Sequence, residues 1–144
     1  MARKLAEPDR AEARVILHTA RYSYAGPDRL DITRQGNDPR GVVLAPSWDI
    51  LGPVLQARQR GLLTDAVWHT YRLDYIAEMR ASFARTGWRE IIASAELTLV
   101  CFCPDAERCH RSIAAELLVK ATRGAAQYRG ERAPPEPAQR SLFS

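Results

Sequence analysis

The chain lacks most of the features by which a sequence announces its class. Its longest apolar stretch, residues 97–103, is far short of the ~20 residues that a membrane-spanning helix needs. The first ten residues carry charges where a signal peptide would need an apolar segment, so no membrane partner and a cytoplasmic location are expected. There are only three cysteines, an odd count that argues against a secreted disulfide framework, and no Cys-x-x-Cys pair. Eight glycines and nine prolines in 144 residues exclude collagen-like and low-complexity chains. Gly-x-Gly-x-x-Gly, Gly-x-x-x-x-Gly-Lys and His-Glu-x-x-His are all missing. A phosphatase loop counted from Cys103 would need arginine six residues on, where Cys109 stands.

What is present fits one small domain. A chain of this length buries roughly two-thirds of its unfolded surface, enough for a real core. The net charge of +4 is mild and the basic residues are scattered, so they read mainly as a solvated surface. Apolar Val15-Ile16-Leu17 predicts a first strand, residues 30–33 a short extended piece, and residues 41–45 a second strand. Ser47 caps a helix from Trp48 that Gly52-Pro53 should interrupt or kink and Gly61 should end. Thr64 caps the longest helix, residues 65–86, with Gly87 as its stop. On it Trp68, Tyr71, Tyr75 and Phe83 recur at helical spacing, as core residues do. A short helix is expected within residues 88–94, and the continuous apolar run 97–103 suits a central strand covered on both faces. A last helix spans about 109–123. His18 reads as a buried histidine with satisfied partners, and His69 has no companion that would make it a ligand. The expected architecture is α/β: a single domain over residues 14–129 with three to four mostly parallel strands and flanking helices. A flexible lead-in over 1–13 and a proline-containing mobile tail over 130–144 frame it.

The chemistry concentrates in one segment. Cys101, Cys103, Cys109, His110, Arg108 and Arg111 fall within eleven residues, where a strand passes into a helix. Ligands of open α/β sheets bind at that carboxyl edge, and a helix N-terminus favours an anion. Arg111 offers a two-pronged donor, with Cys103 and Ser112 beside it as further ligand contacts. The same field should lower the pKa of Cys109, which with His110 forms the candidate nucleophile and acid/base pair. Tyr22, Tyr24, Asp28, Arg29 and Asp31, following the first strand, and Trp48, following the second, should reach the same edge. No cofactor is called for, except in a zinc alternative that would use Cys101, Cys103, Cys109 and His110.

Residues 97–103, the step Cys109-His110-Arg111-Ser112 and the helix after it resemble the hallmark ending of the domain of unknown function 488 family, small prokaryotic and phage proteins. The segments 22–33 and 45–49 are similar to a phage-type branch of it. The resemblance implies an α/β fold and a shared pocket whose motif residues here are Cys101, Cys103, Cys109, His110 and Arg111; it implies no particular reaction.

Two functions from different classes follow. In one, the chain binds or processes a small anionic, nucleotide-like ligand, with Arg111 on the anion. In the other it is a non-catalytic module for nucleic acid or protein, with zinc on its Cys/His segment. Arg111 in a first helical turn opposes the macrodipole by roughly 0.3–1 kcal/mol, so it needs an anion or a carboxylate. A ligand anion is the preferred explanation; Asp28 and Asp31 are the candidate carboxylates.

Overall fold

The computed structural model describes residues 14–103 and 108–133. Four strands, β1 (Val15–Arg21), β2 (Arg29–Asp31), β3 (Glu96–Cys101) and β4 (Ala126–Glu131), form a sheet of order β2-β3-β1-β4. Every pairing is parallel. Between β2 and β3 come a 3-10 turn (Gly41–Leu44) and helices α1 (Trp48–Gln59), α2 (Asp65–Thr86) and α3 (Arg89–Ile92). α4 (His110–Ala121) links β3 to β4. This is the expected small α/β domain, with a wholly parallel sheet.

Register explains the core. Leu17 pairs with Leu97 and Leu30 with Leu99, so these leucines share one face of the sheet. On that face they join Tyr75 and Met79 of α2, Ile91 of α3, and Ile113 and Leu118 of α4 in one buried cluster. β3 is buried from Leu97 to Cys101, as a strand inside a parallel sheet should be. The opposite face carries His18 and Thr98, which pair in register. Thr98 Oγ1 donates to Asp28 Oδ2 (2.7 Å), and Arg132 spans Asp28 and Glu96. The Nδ1 of His18 is buried without a partner among the described residues, against the expectation of a satisfied histidine.

Three elements depart from the sequence reading. Residues 41–44 form a 3-10 turn, not a strand. Gly41 lies so close to β2 that a Cβ there would come within 1.9 Å of the Asp31 carbonyl oxygen, and the apolar run closes on itself instead of entering the sheet. α1 runs unbroken through Pro53, since proline's φ is compatible with a helix and only the bond from residue 53 to the Asp49 carbonyl is lost. β4 is not predicted: residues 126–129 carry no strand signal and 130–131 read as tail, yet the segment lies along β1 as an edge strand and extends beyond the expected boundary at residue 129. The long helix matches its signals, with Thr64 Oγ1 accepting from Val67 N (3.2 Å) and Gly87 ending it at φ 65°. The expected lead-in and residues 134–144 of the expected tail lie outside the described residues, while the start of that tail is ordered as the end of β4.

Candidate active site

A cleft of about 320 Å³ opens at the carboxyl edge of the sheet. Each neighbouring element contributes through a segment just beyond a strand or along a helix. Thr33, Arg34 and Gln35 follow β2, and Phe102 and Cys103 follow β3. Arg108, Cys109 and His110 lead into α4. α1 supplies Trp48, Leu51, Leu55 and Arg58 at 3-4-3 spacing, hence one helical face, and α2 supplies Trp68 and Tyr71. Among the described residues the lining holds three arginines and no carboxylate. Among the described residues the cleft therefore combines apolar, largely aromatic walls with three guanidinium groups.

The arginines are anchored. Arg34 donates to the carbonyls of Pro46 (2.9 Å) and Ala45 (3.1 Å). Arg108 donates to the Leu63 carbonyl (2.8 Å) and pairs with Asp65. Arg58 reaches the Arg108 carbonyl (3.2 Å) and directs Nη1 at the Cys103 sulfur (3.6 Å). Held this way, the three guanidinium groups have little conformational freedom left.

His110 is buried at the start of α4. Its Nε2 lies 2.8 Å from the Ile32 carbonyl, which only accepts, so the proton sits on Nε2 and Nδ1 carries the lone pair. Burial, helped by the Arg111 charge and opposed by the Ile32 carbonyl, lowers its pKa to about 4. The ring is therefore neutral near pH 7. Cys109, the N-cap of α4, is buried, and its sulfur is joined to that of Cys101 with the Cα atoms 7.7 Å apart. The free thiol at the cleft is Cys103. All three sulfurs lie within 4.8 Å of one another, one of two groups among the described residues with the spacing to hold a metal, the other being His18, Asp28 and Glu96 on the opposite face; His110, expected as a fourth ligand, is in neither.

Arg111 does not line the cleft. It is 0% exposed, donating through Nε and Nη2 to Glu131 (3.1 and 2.8 Å) and through Nη1 to the Cys103 carbonyl (2.7 Å) and the Cys101 sulfur (3.2 Å). Its carboxylate is thus on β4, where neither Asp28 nor Asp31 can serve. Burial pushes the Glu131 carboxyl up, but hydrogen bonds from Arg111 and Thr19 outweigh it and hold the group below its ordinary value.

The other anticipated residues separate. Trp48 lines the cleft and is 52% exposed. Tyr22 stacks on Phe102 at 4.0 Å and donates to Asp31 (2.9 Å), placing both behind the cleft wall. Asp31 also accepts from the Thr33 backbone N–H and hydroxyl; these bonds overcome its burial and keep the carboxyl low. Arg29 fastens the loop by donating to the Tyr22 and Tyr24 carbonyls. Tyr24 and Asp28 bond to each other on the opposite face of the sheet, away from the cleft. Ser112 donates to the Cys109 carbonyl (3.0 Å). Arg108 lies in the segment that the sequence singles out, whereas Arg34, Arg58 and Trp68 are lining residues that sequence reasoning missed, although the 3-4-3 stripe of α1 is a legible signal for Arg58.

No curated protein and no solved structure matches the chain. A family model described as the active DUF488-N3 subclade matches residues 2–122. With the strand, the Cys-His-Arg step and the helix all in the matched region, the chain belongs to the DUF488 family, in its DUF488-N3 branch.

Proposed function

We propose that the cleft binds a small anionic molecule with a planar ring, nucleotide-like in character, and presents it to Cys103 and His110. One observation carries the reading: three anchored arginines, of which only Arg108 has a carboxylate partner (Asp65) among the described residues, line a cleft walled by Trp48, Trp68, Tyr71 and Phe102. Guanidinium groups match phosphate or carboxylate oxygens, and aromatic faces accept a stacked ring. A ligand in this position would meet the neutral His110 as a proton acceptor and the Cys103 sulfur as a polarisable group. The anion contact expected of Arg111 passes to Arg34, Arg58 and Arg108, because Arg111 is occupied by Glu131. While its sulfur is joined to Cys101, Cys109 cannot be the nucleophile, and the thiol at the cleft is that of Cys103.

Thermal stabilisation tests it. Nucleoside monophosphates should raise the melting temperature, whereas the corresponding nucleosides should do so much less, because bound ligand stabilises by mass action. Arg58→Ala should weaken the phosphate-bearing ligand by about 1.5–3 kcal/mol, the worth of a charge-assisted hydrogen bond. Equal stabilisation by nucleoside and nucleotide would remove the anion from the reading. Stabilisation by an oligonucleotide alone would replace it with the nucleic-acid-binding alternative.

A further inference from the structure

Beside the cleft, which Cys103 and Cys109 line, three sulfurs converge from a strand end and a helix start. Cys101 closes β3, Cys103 follows two residues later, and Cys109 caps α4. Their Sγ atoms all lie within 4.8 Å of one another. The Cα atoms of Cys101 and Cys109 are 7.7 Å apart, wider than the 4.4–6.8 Å usual across a disulfide, whereas two ligands of one metal ion are under no such limit. Donors surround the sulfurs: Arg111 Nη1 is 3.2 Å from Cys101 Sγ and Arg58 Nη1 is 3.6 Å from Cys103 Sγ. These guanidinium groups set positive charge beside two of the three sulfurs, where metal-bound sulfur would carry negative charge.

We propose that in the reduced chain Cys101, Cys103 and Cys109 form a three-thiolate site for a thiophilic divalent ion, zinc first among them. Three sulfur–metal bonds form and the three thiol protons leave for solvent. Charge supports the assignment. Three thiolates and a divalent cation sum to one negative charge, which Arg58 balances, while Arg111 is already neutralised by Glu131. Soft sulfur ligands select zinc-like ions over magnesium or calcium. Three protein ligands leave a fourth position for water or for an anionic group of a molecule in the cleft, the pattern of zinc sites that keep a position open. Cys103 and Cys109 both line that cleft.

The test uses the full chain, reduced with a phosphine and free of nucleotide, titrated with cadmium as a spectroscopic stand-in for zinc. One equivalent should bind and produce ultraviolet thiolate-to-metal absorption, with zinc displacing it in competition. Cys103→Ser, at a half-buried position, should abolish the band while the chain stays folded by circular dichroism. His110→Ala should retain the full equivalent, which separates this site from one using the histidine. Absence of a saturable equivalent in the reduced chain, or a band that survives Cys103→Ser, would overturn the proposal. Because no anionic ligand is present, either outcome leaves the arginine-based reading of the cleft to its own test.

Discussion

Arg111 lies wholly out of solvent with its charge met, among the described residues, by one carboxylate, Glu131, whose side chain is 30% exposed. Removing the carboxylate strands a buried guanidinium, and breaking a buried pair from one side costs ~3–5 kcal/mol. Glu131→Ala should therefore destabilise the chain by about that amount in urea denaturation, a large effect for an edge-strand residue. Replacing both partners, as in Arg111→Met with Glu131→Leu, should recover most of the loss, because no unpaired charge remains. An additive double mutant would show that the two residues do not act as a pair. His110 makes a second prediction at this scale. With its folded pKa near 4 against 6.5 ordinarily, the unfolded chain binds more protons between those values. Stability should fall as pH drops from 6.5 toward 4, and His110→Gln should flatten that part of the pH–stability curve. Glu131 adds a further loss only below about 4.5, since its lowered carboxyl stabilises above that range. The Cys-His-Arg step could be read as chemically dense from its composition. Which carboxylate answers Arg111 could not, because Glu131 is twenty residues away and reaches it only through strand pairing.

Elements were legible where local chemistry and tertiary placement agree. Thr64 and Gly87 bracket α2, and the apolar run of β3 is buried throughout. They were not legible where the two compete. Gly41-Val42-Val43-Leu44 is strand-like in residue type, yet the turn places Leu44 in the core without entering the sheet. That packing depends on the bare Cα of Gly41. Gly41→Ala should cost on the order of 1–3 kcal/mol as an overpacked contact against the Asp31 carbonyl, read as a lowered urea midpoint. An unchanged midpoint would mean that the turn can slide away from β2 freely. β4 was missed for the opposite reason: an edge strand with exposed Tyr128 and Arg129 presents no apolar signature.

The parallel sheet brings the segments after β2 and β3 to one edge, and α1 and α2 close it into a cleft. Closure at the other end of the sheet order depends on β4, which pairs with β1 and holds Glu131. A chain truncated after residue 129, the boundary that composition suggests, should be at least as destabilised as Glu131→Ala, losing the carboxylate together with the end of the β1–β4 ladder. Full-length stability in that truncation would show that β4's last residues are dispensable. The sequence by itself determined the α/β class, the long helix, the buried strand before the Cys-His-Arg step, and the concentration of reactive side chains there. These rest on periodicity, caps and composition, which act between near neighbours in the chain. The tertiary structure alone decided that Arg111 faces Glu131 instead of a ligand, that Arg34, Arg58 and Arg108 share a cleft, and that Tyr24 and Asp28 sit on the other face. Those outcomes follow from strand order and register, which bring together residues tens of positions apart and which no local pattern encodes.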